Sequence, residues 1–298
     1  MDIVMLGHTA AGKTTYVSLM YAVMREGIEE LSLRAEDPFA HSNLMGAAEA
    51  VLSGRYPPAS DQRAVFDFVL QHRGQDVFPF RWRDYRGGAL AERVAGSVQA
   101  RQLHEDLKQA QGIILFADAQ RLLGNRAAPG EVRRMTVHVQ HALEARGDAL
   151  TPVVVAITKC DLVDMESDHV VEQLVAPFQQ LVDGIAATQH LHGALVPLAC
   201  GPEPVNVALP VLWSLHFGIL GRGLELQAAV DGRLAAAREA AARDTLGDRI
   251  SSWWKGEQSW AAVSATHQRA AHAEYARLEP LVAPAERLGA LLEGVTSF

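Results

Sequence analysis

The stretch Gly7-His8-Thr9-Ala10-Ala11-Gly12-Lys13-Thr14 follows the apolar run Ile3-Val4-Met5-Leu6 and precedes the helical pattern Thr15-Tyr16-Val17-Ser18-Leu19-Met20-Tyr21-Ala22-Val23-Met24. Its G-x-x-x-x-G-K-[ST] spacing, set between a strand and a helix, reads as a phosphate-binding P-loop. Gly7 leaves the strand in a tight turn, and Gly12 lets the backbone approach a phosphate. Backbone N–H groups of the loop and the start of the helix, at His8, Thr9, Ala10, Ala11 and Thr15, supply partial positive charge. Lys13 reaches the β and γ phosphates, and the Thr14 hydroxyl ligates magnesium. An ordinary glycine-containing turn is the competing reading, and the strand and helix on either side weigh against it.

The remainder of the chain fits this start. Its 298 residues are 49% hydrophobic and 21% charged, which is enough for one large domain or two unequal ones and does not suggest disorder. The net charge of -8 and scattered Lys and Arg argue against a general nucleic-acid binder. Two cysteines, Cys160 and Cys200, are too few for a disulfide framework. No apolar run reaches the length of a bilayer span, and the chain opens inside its first strand. A cytoplasmic location without membrane attachment is therefore expected.

Further along come a short strand at Leu31-Ser32-Leu33-Arg34 and a helix from Pro38 to Leu52. The proline-set loop Arg55-Tyr56-Pro57-Pro58-Ala59-Ser60 follows, with Ser60 as a candidate second magnesium ligand. Two alternating runs, Ala64 to Leu70 and Val77 to Trp82, predict an antiparallel hairpin that delivers Asp84 at its end. In Asp84-Tyr85-Arg86-Gly87-Gly88 the carboxylate can hold magnesium through a water, and the Gly87 N–H can meet the γ phosphate. A helix from Ala89 to Gln111 and a buried strand at Gly112 to Ala117 come next, ending at Asp118. After a helix from Pro129 to Arg146, the strand Pro152 to Ile157 runs into Thr158-Lys159-Cys160-Asp161. Asp161 can accept both N1–H and N2–H of guanine, a donor pair that adenine lacks, while Lys159 lays its stem over the base or sugar. A helix from Ser167 to Gln189 and the strand Ala194 to Leu198 end at Ala199-Cys200-Gly201, where a backbone N–H can meet the guanine carbonyl. A mostly apolar helix, Val205 to Leu220, closes this part.

These residues, in this order, resemble the small-GTPase-like P-loop proteins of the TRAFAC class over roughly residues 1–221. The resemblance implies an α/β fold with a doubly wound, mostly parallel sheet. It assigns Gly7 to Thr15 to phosphates, Ser60 to the first switch, Asp84 to Gly87 to the second, Thr158 to Asp161 to guanine, and Ala199 and Cys200 to the last base contact. The segment before Ser60 and the Arg55-Tyr56-Pro57-Pro58 loop are similar to the bacterial double-GTPase families. The implied activity is hydrolysis of GTP to GDP with magnesium, as a nucleotide-dependent switch read by a protein regulator or effector, with a second GTPase or a homodimer as further partners. Three departures stand out: Thr158 replaces an Asn, Ser60 replaces a Thr, and Gly88 stands where Ras-like members place the water-orienting Gln. A slow, partner-stimulated rate is expected, with Arg86 as a candidate for stabilising transition-state charge. A catalytically weak nucleotide-binding scaffold and an ATP-using P-loop enzyme are the alternatives.

From Gly223 the composition turns to Ala, Arg and Glu, and Leu226, Val230, Leu234, Ala237 and Ala241 mark one helical face. Residues 222–298 are read as a helical extension: one helix, a second from about Gln258 to Leu278 folding back as a hairpin, and a third after Pro280. Trp253, Trp254 and Trp260 are read as packing the hairpin tip, with docking of a partner or a membrane surface as the alternative. His138 with His141, and His190 with His192, lack a third ligand of suitable spacing and are read as ordinary helix or loop histidines.

Overall fold

The computed structural model describes residues 1–57, 64–85, 98–144, 146–245 and 258–298. The first strand, β1 (Asp2–Gly7), is almost wholly buried, as a strand covered on both faces must be. Helix α1 (Lys13–Glu26) follows the P-loop and ends at Gly27. Next come β2 (Leu31–Ala35) and α2 (Pro38–Leu52), whose start is set by the Asp37 carboxylate accepting from the Phe39 and Ala40 N–H groups, with Pro38 in the first turn. The hairpin is β3 (Ala64–His72) and β4 (Gln75–Asp84), joined through Arg73 and Gly74, both at positive φ.

The remaining elements of the first unit alternate: α3 (Val98–Gln109), β5 (Gly112–Asp118), α4 (Ala119–Gly124), α5 (Ala128–Glu144), β6 (Thr151–Thr158), α6 (Asp168–Val175), α7 (Gln179–Ala186) and β7 (Leu191–Pro197). The seven strands lie in the order β2-β3-β4-β1-β5-β6-β7. Pairing is parallel from β4 through β7 and antiparallel at β2-β3 and β3-β4. This is the doubly wound, mostly parallel α/β sheet expected of the sequence. The order reverses beside β1, so the loops after β1, β4, β5 and β6 open at one edge, where such sheets place a ligand.

Three boundaries differ from the sequence reading. The helix expected over Ser167 to Gln189 is broken by a tight turn at Ala176–Phe178, because Pro177 has no N–H to continue the ladder. The helix expected to stop at Leu220 runs on as α8 (Leu209–Arg243), straight through Gly221 and Gly223. The two helices expected on either side of Pro280 are one, α9 (Trp260–Leu291), which contains Pro280 and Pro284. Burial of Leu281 and Leu288 on that helix outweighs a proline cost of about 3 kcal/mol in an isolated helix. Of the helix expected over Ala89 to Gln111, the part before Val98 lies outside the described residues.

The chain divides into two units, residues 1–218 with 287–298, and residues 219–286. The last twelve residues thus belong with the sheet, not with the extension to which 222–298 was assigned: Phe298 exchanges backbone hydrogen bonds with Gly193 of β7, and Leu195 N–H donates to the Thr296 carbonyl. In the second unit, Ser264 of α9 donates to the Ala237 carbonyl of α8 at 2.9 Å, and the Arg243 guanidinium lies 5.2 Å from the Trp260 ring centre. A Cβ on Gly223 would touch Leu278. These pairings advance along α8 as they retreat along α9, so the two helices form an antiparallel hairpin. Trp253 and Trp254 lie outside the described residues. Among the described residues no helix is long and apolar enough to cross a membrane.

Candidate nucleotide site

At the end of β1, Gly7 pairs with Phe116 of β5, and a Cβ there would come within 2.9 Å of both the Phe116 Cβ and its carbonyl oxygen. Only glycine allows this approach, since a strand backbone cannot retreat as a flexible side chain can. Gly7→Ala is expected to cost about 1–3 kcal/mol through overpacking, read as a lower urea midpoint at unchanged slope. The loop then turns with the Ala11 N–H on the His8 carbonyl at 3.1 Å, and with Ala10 and Gly12 at φ 64° and 82°. Helix α1 starts without a side-chain cap and without an acidic residue in its first turn, so its leading N–H groups face the loop with their partial charge uncancelled.

Lys13 folds back under this loop. Its Nζ donates to the Gly7 carbonyl at 3.1 Å, and the residue is only 7% exposed. Asp84, at the carboxyl end of β4 and in register with Met5 of β1, places Oδ1 4.0 Å from Nζ. That oxygen is buried and has no hydrogen-bond partner. Burial pushes the Asp84 carboxyl up to about 6 although Lys13 pulls it down, and burial pushes the Lys13 ammonium below its ordinary range although Asp84 pulls it up. Desolvation therefore outweighs the attraction on both sides, so the pair is not held for its own stability.

Thr158, at the end of β6, is fully buried, and its hydroxyl lies 3.0 Å from the Ala11 carbonyl and 3.2 Å from the Ala117 carbonyl. A Cβ on Gly12 would meet this side chain at 3.6 Å. Thr158 thus stitches the P-loop to the ends of β5 and β6 from beneath. Lys159 has φ 59°, and its ammonium pairs with the Asp118 carboxylate, whose other oxygen caps α4 at the Arg121 N–H. Asp161 is exposed on the short turn Cys160–Leu162. Cys160 N–H donates to the Leu198 carbonyl at 3.1 Å, and Ala199 bridges Val205, which brings the loops after β6 and β7 together. Burial, followed by the Asp161 and Cys160 charges, pushes the Cys200 thiol up to about 12, and burial pushes Cys160 up to about 11. Both thiols are protonated and sluggish toward alkylation at neutral pH.

Lys13, Thr14, Asp84, Thr158, Lys159, Asp161, Ala199 and Cys200 all lie at the carboxyl ends of strands or just beyond them, at the same edge of the sheet. Ser60, Arg86, Gly87 and Gly88 lie outside the described residues. Asp118, the His8 ring and Tyr56 take supporting parts that the motifs do not assign to them. Asp118 anchors Lys159, a role that only the acidic residue closing a buried strand hints at. His8 places Nδ1 3.8 Å from Glu131, which also pairs with Arg121 at 2.6 Å, so α4 and α5 brace the loop. Tyr56 brings its hydroxyl to 3.2 Å from where a Gly201 Cβ would stand, so this side chain reaches the loop after β7. The histidine pairs serve elsewhere: His192 stacks on Phe217 at 4.2 Å, and His141 faces Glu144.

Comparison with known proteins matches this arrangement to one family model. The Double-GTPase 1 model matches residues 4–165, more than half of the chain, including the P-loop, Asp84 and the Thr158-Lys159-Cys160-Asp161 turn. No curated protein matches. Among solved structures, the chain is similar to one in the signal recognition particle receptor SRb-GTP/SRX complex from Chaetomium thermophilum, at 13% identity and TM-score 0.42, covering 73% of this chain and 97% of that one. It is also similar to the S. cerevisiae Ski7 GTPase-like domain bound to GTP, at 14% identity and TM-score 0.40, covering 67% of this chain and 42% of that one. With the family model spanning the P-loop, the strand-end Asp84 and the turn at Thr158 to Asp161, the chain belongs to the Double-GTPase 1 family of GTP-binding P-loop proteins.

Proposed function

We propose that the protein hydrolyses GTP to GDP and phosphate in a magnesium-dependent reaction and acts as a switch in the cytoplasm. The observation that carries this reading is the Lys13-Asp84 pair: a buried cation and a buried carboxylate, kept 4.0 Å apart at a net desolvation cost, beside an uncapped helix start. Perturbed, costly charges of this kind belong to binding and catalytic sites. Lys13 and the loop N–H groups hold the β and γ phosphates, and the Gly87 N–H meets the γ phosphate. The orphaned Asp84 oxygen suits a hydrated cation, so Thr14, Asp84 and Ser60 are the residues that would hold magnesium. Magnesium, when bound, neutralises charge that develops on the phosphate oxygens. Arg86 is the candidate to stabilise transition-state charge, and with glycine at position 88 a partner supplies or orders what aligns the attacking water. The γ phosphate orders the loops around Ser60 and Asp84, and a regulator or effector, a second GTPase or a second copy reads that order.

Asp161, on its exposed turn, reads guanine, while Lys159, steadied by Asp118, lies along the base or sugar. Fluorescent GDP, GTP and ATP titrated into the emptied protein test this part of the reading. Guanine preference is expected to fall by about 10²-fold or more in Asp161→Ala, because a site built to accept the guanine donors no longer discriminates. An unchanged preference would return that turn to a structural role. Multiple-turnover phosphate release from GTP tests hydrolysis itself, and its absence with and without candidate partners would leave a nucleotide-binding scaffold.

A further inference from the structure

Asp106 is a carboxylate on α3, within the first unit, that the nucleotide reading does not use. It is 7% exposed, and a carboxylate this deeply buried must be met by donors or it destabilises the fold. Among the described residues, donors from Arg83, Tyr85 and Gln102 converge on it. Arg83 Nη1 donates to Oδ2 at 3.1 Å, the Tyr85 hydroxyl donates to the same oxygen, and Gln102 Nε2 donates to Oδ1 at 3.1 Å. Arg83 also holds Asp2 of β1 at 3.0 Å, which ties the group to the neighbouring strand. The Tyr85 ring lies in the same core cluster as Leu103 and Leu107 of α3.

Two of these donors, Arg83 and Tyr85, are the chain neighbours of Asp84. Side chains alternate across a strand, so Arg83 and Tyr85 leave the end of β4 on the face opposite to Asp84. Asp106 thus holds the side chains on either side of Asp84 from behind, while Asp84 itself meets Lys13 on the other face. Without that grip a buried carboxylate lacking a hydrogen bond would gain by turning toward water. We propose that Asp106 is the positioning residue for Asp84, holding its carboxylate where it would hold magnesium. The proposal rests on the reading of Asp84 as a magnesium-holding residue.

The test uses the full chain and a fluorescent GTP analogue, titrated in excess magnesium and again in EDTA; the ratio of the two affinities is the magnesium gain. Removing the support of a metal-holding group typically lowers its contribution about 10- to 100-fold, so Asp106→Asn is expected to reduce the magnesium gain by about tenfold or more while the EDTA affinity stays within about twofold. Tyr85→Phe, which keeps the ring and its packing, is expected to reduce the gain in the same direction. It should add little in the Asp106→Asn background, since both act through one group. A merely structural Asp106 would lower the melting temperature and leave the gain intact, and this result would overturn the proposal. If Asp106→Asn does not fold, Tyr85→Phe alone decides by the same ratio. Asp84→Ala separates the two levels. Loss of the gain there with no loss in either other variant overturns the proposal and leaves the Asp84 reading standing. An intact gain in Asp84→Ala overturns both.

Discussion

Lys13→Ala is expected to reduce GTP turnover per unit substrate by at least about 10²-fold, the loss found when one preorganised charge-stabilising donor is removed from a water-excluded site. The argument starts from where the ammonium is kept. Lys13 is almost fully buried, its Nζ is fixed on the Gly7 carbonyl, and the nearby Asp84 oxygen lies too far for a hydrogen bond. One of its three donors is therefore committed, and the charge is aimed along the loop at low dielectric, where it is worth far more than at a surface. Lys13→Arg should fail as well, because a planar guanidinium cannot occupy the space of a compact ammonium beneath the Gly7 carbonyl. Phosphate release under multiple turnover measures both variants. Turnover within a few-fold of the unaltered protein in Lys13→Ala would remove the P-loop from the reaction.

Legibility in the sequence followed how local each cause is. Helix α2 was bounded correctly from Pro38 to Leu52 because Asp37 and Pro38 fix its start within two residues. Strand β1, the P-loop and the end of β4 were readable because glycine spacing and alternation act over a few residues. The long helices were not, since whether Gly221, Gly223, Pro280 and Pro284 interrupt a helix depends on what its other face buries. The return of Phe298 to β7 was invisible for the same reason: no local pattern announces an edge pairing more than a hundred residues away. At the site, motif residues could be named, but their supports could not. Asp106, Asp118 and Glu131 are ordinary acidic residues in sequence and acquire meaning only beside Arg83, Lys159 and Arg121. The support that Thr158 gives the P-loop is equally hidden, because its hydroxyl meets two backbone carbonyls far away in sequence.

Asp84→Asn is expected to stabilise the nucleotide-free protein at neutral pH while removing its magnesium-dependent affinity for GTP. Burial raises the folded-state pKa of Asp84 from its ordinary 3.8 to about 6. Between these values the folded protein holds a proton that the unfolded chain has released, so stability falls as pH rises from about 4 to about 6. Above that range the whole penalty is in force, and at about 1.4 kcal/mol per pH unit it amounts to up to about 3 kcal/mol. A neutral amide of the same shape avoids it. The loss of attraction to Lys13 is already contained in the net upward shift, so it does not reverse the sign. Urea unfolding of both proteins from pH 4 to pH 8 measures the difference, which should be near zero at the acid end and open progressively through pH 6. Adding magnesium and GTP should invert the order, since the unaltered protein gains binding energy that the variant cannot. A variant less stable than the parent at pH 7 would mean that the Lys13-Asp84 pair holds the fold together. The carboxylate would then be explained by stability, and the assignment of magnesium to this strand end would lose its support. The expected result is the opposite one, in which the site retains a destabilising charge because the reaction needs it.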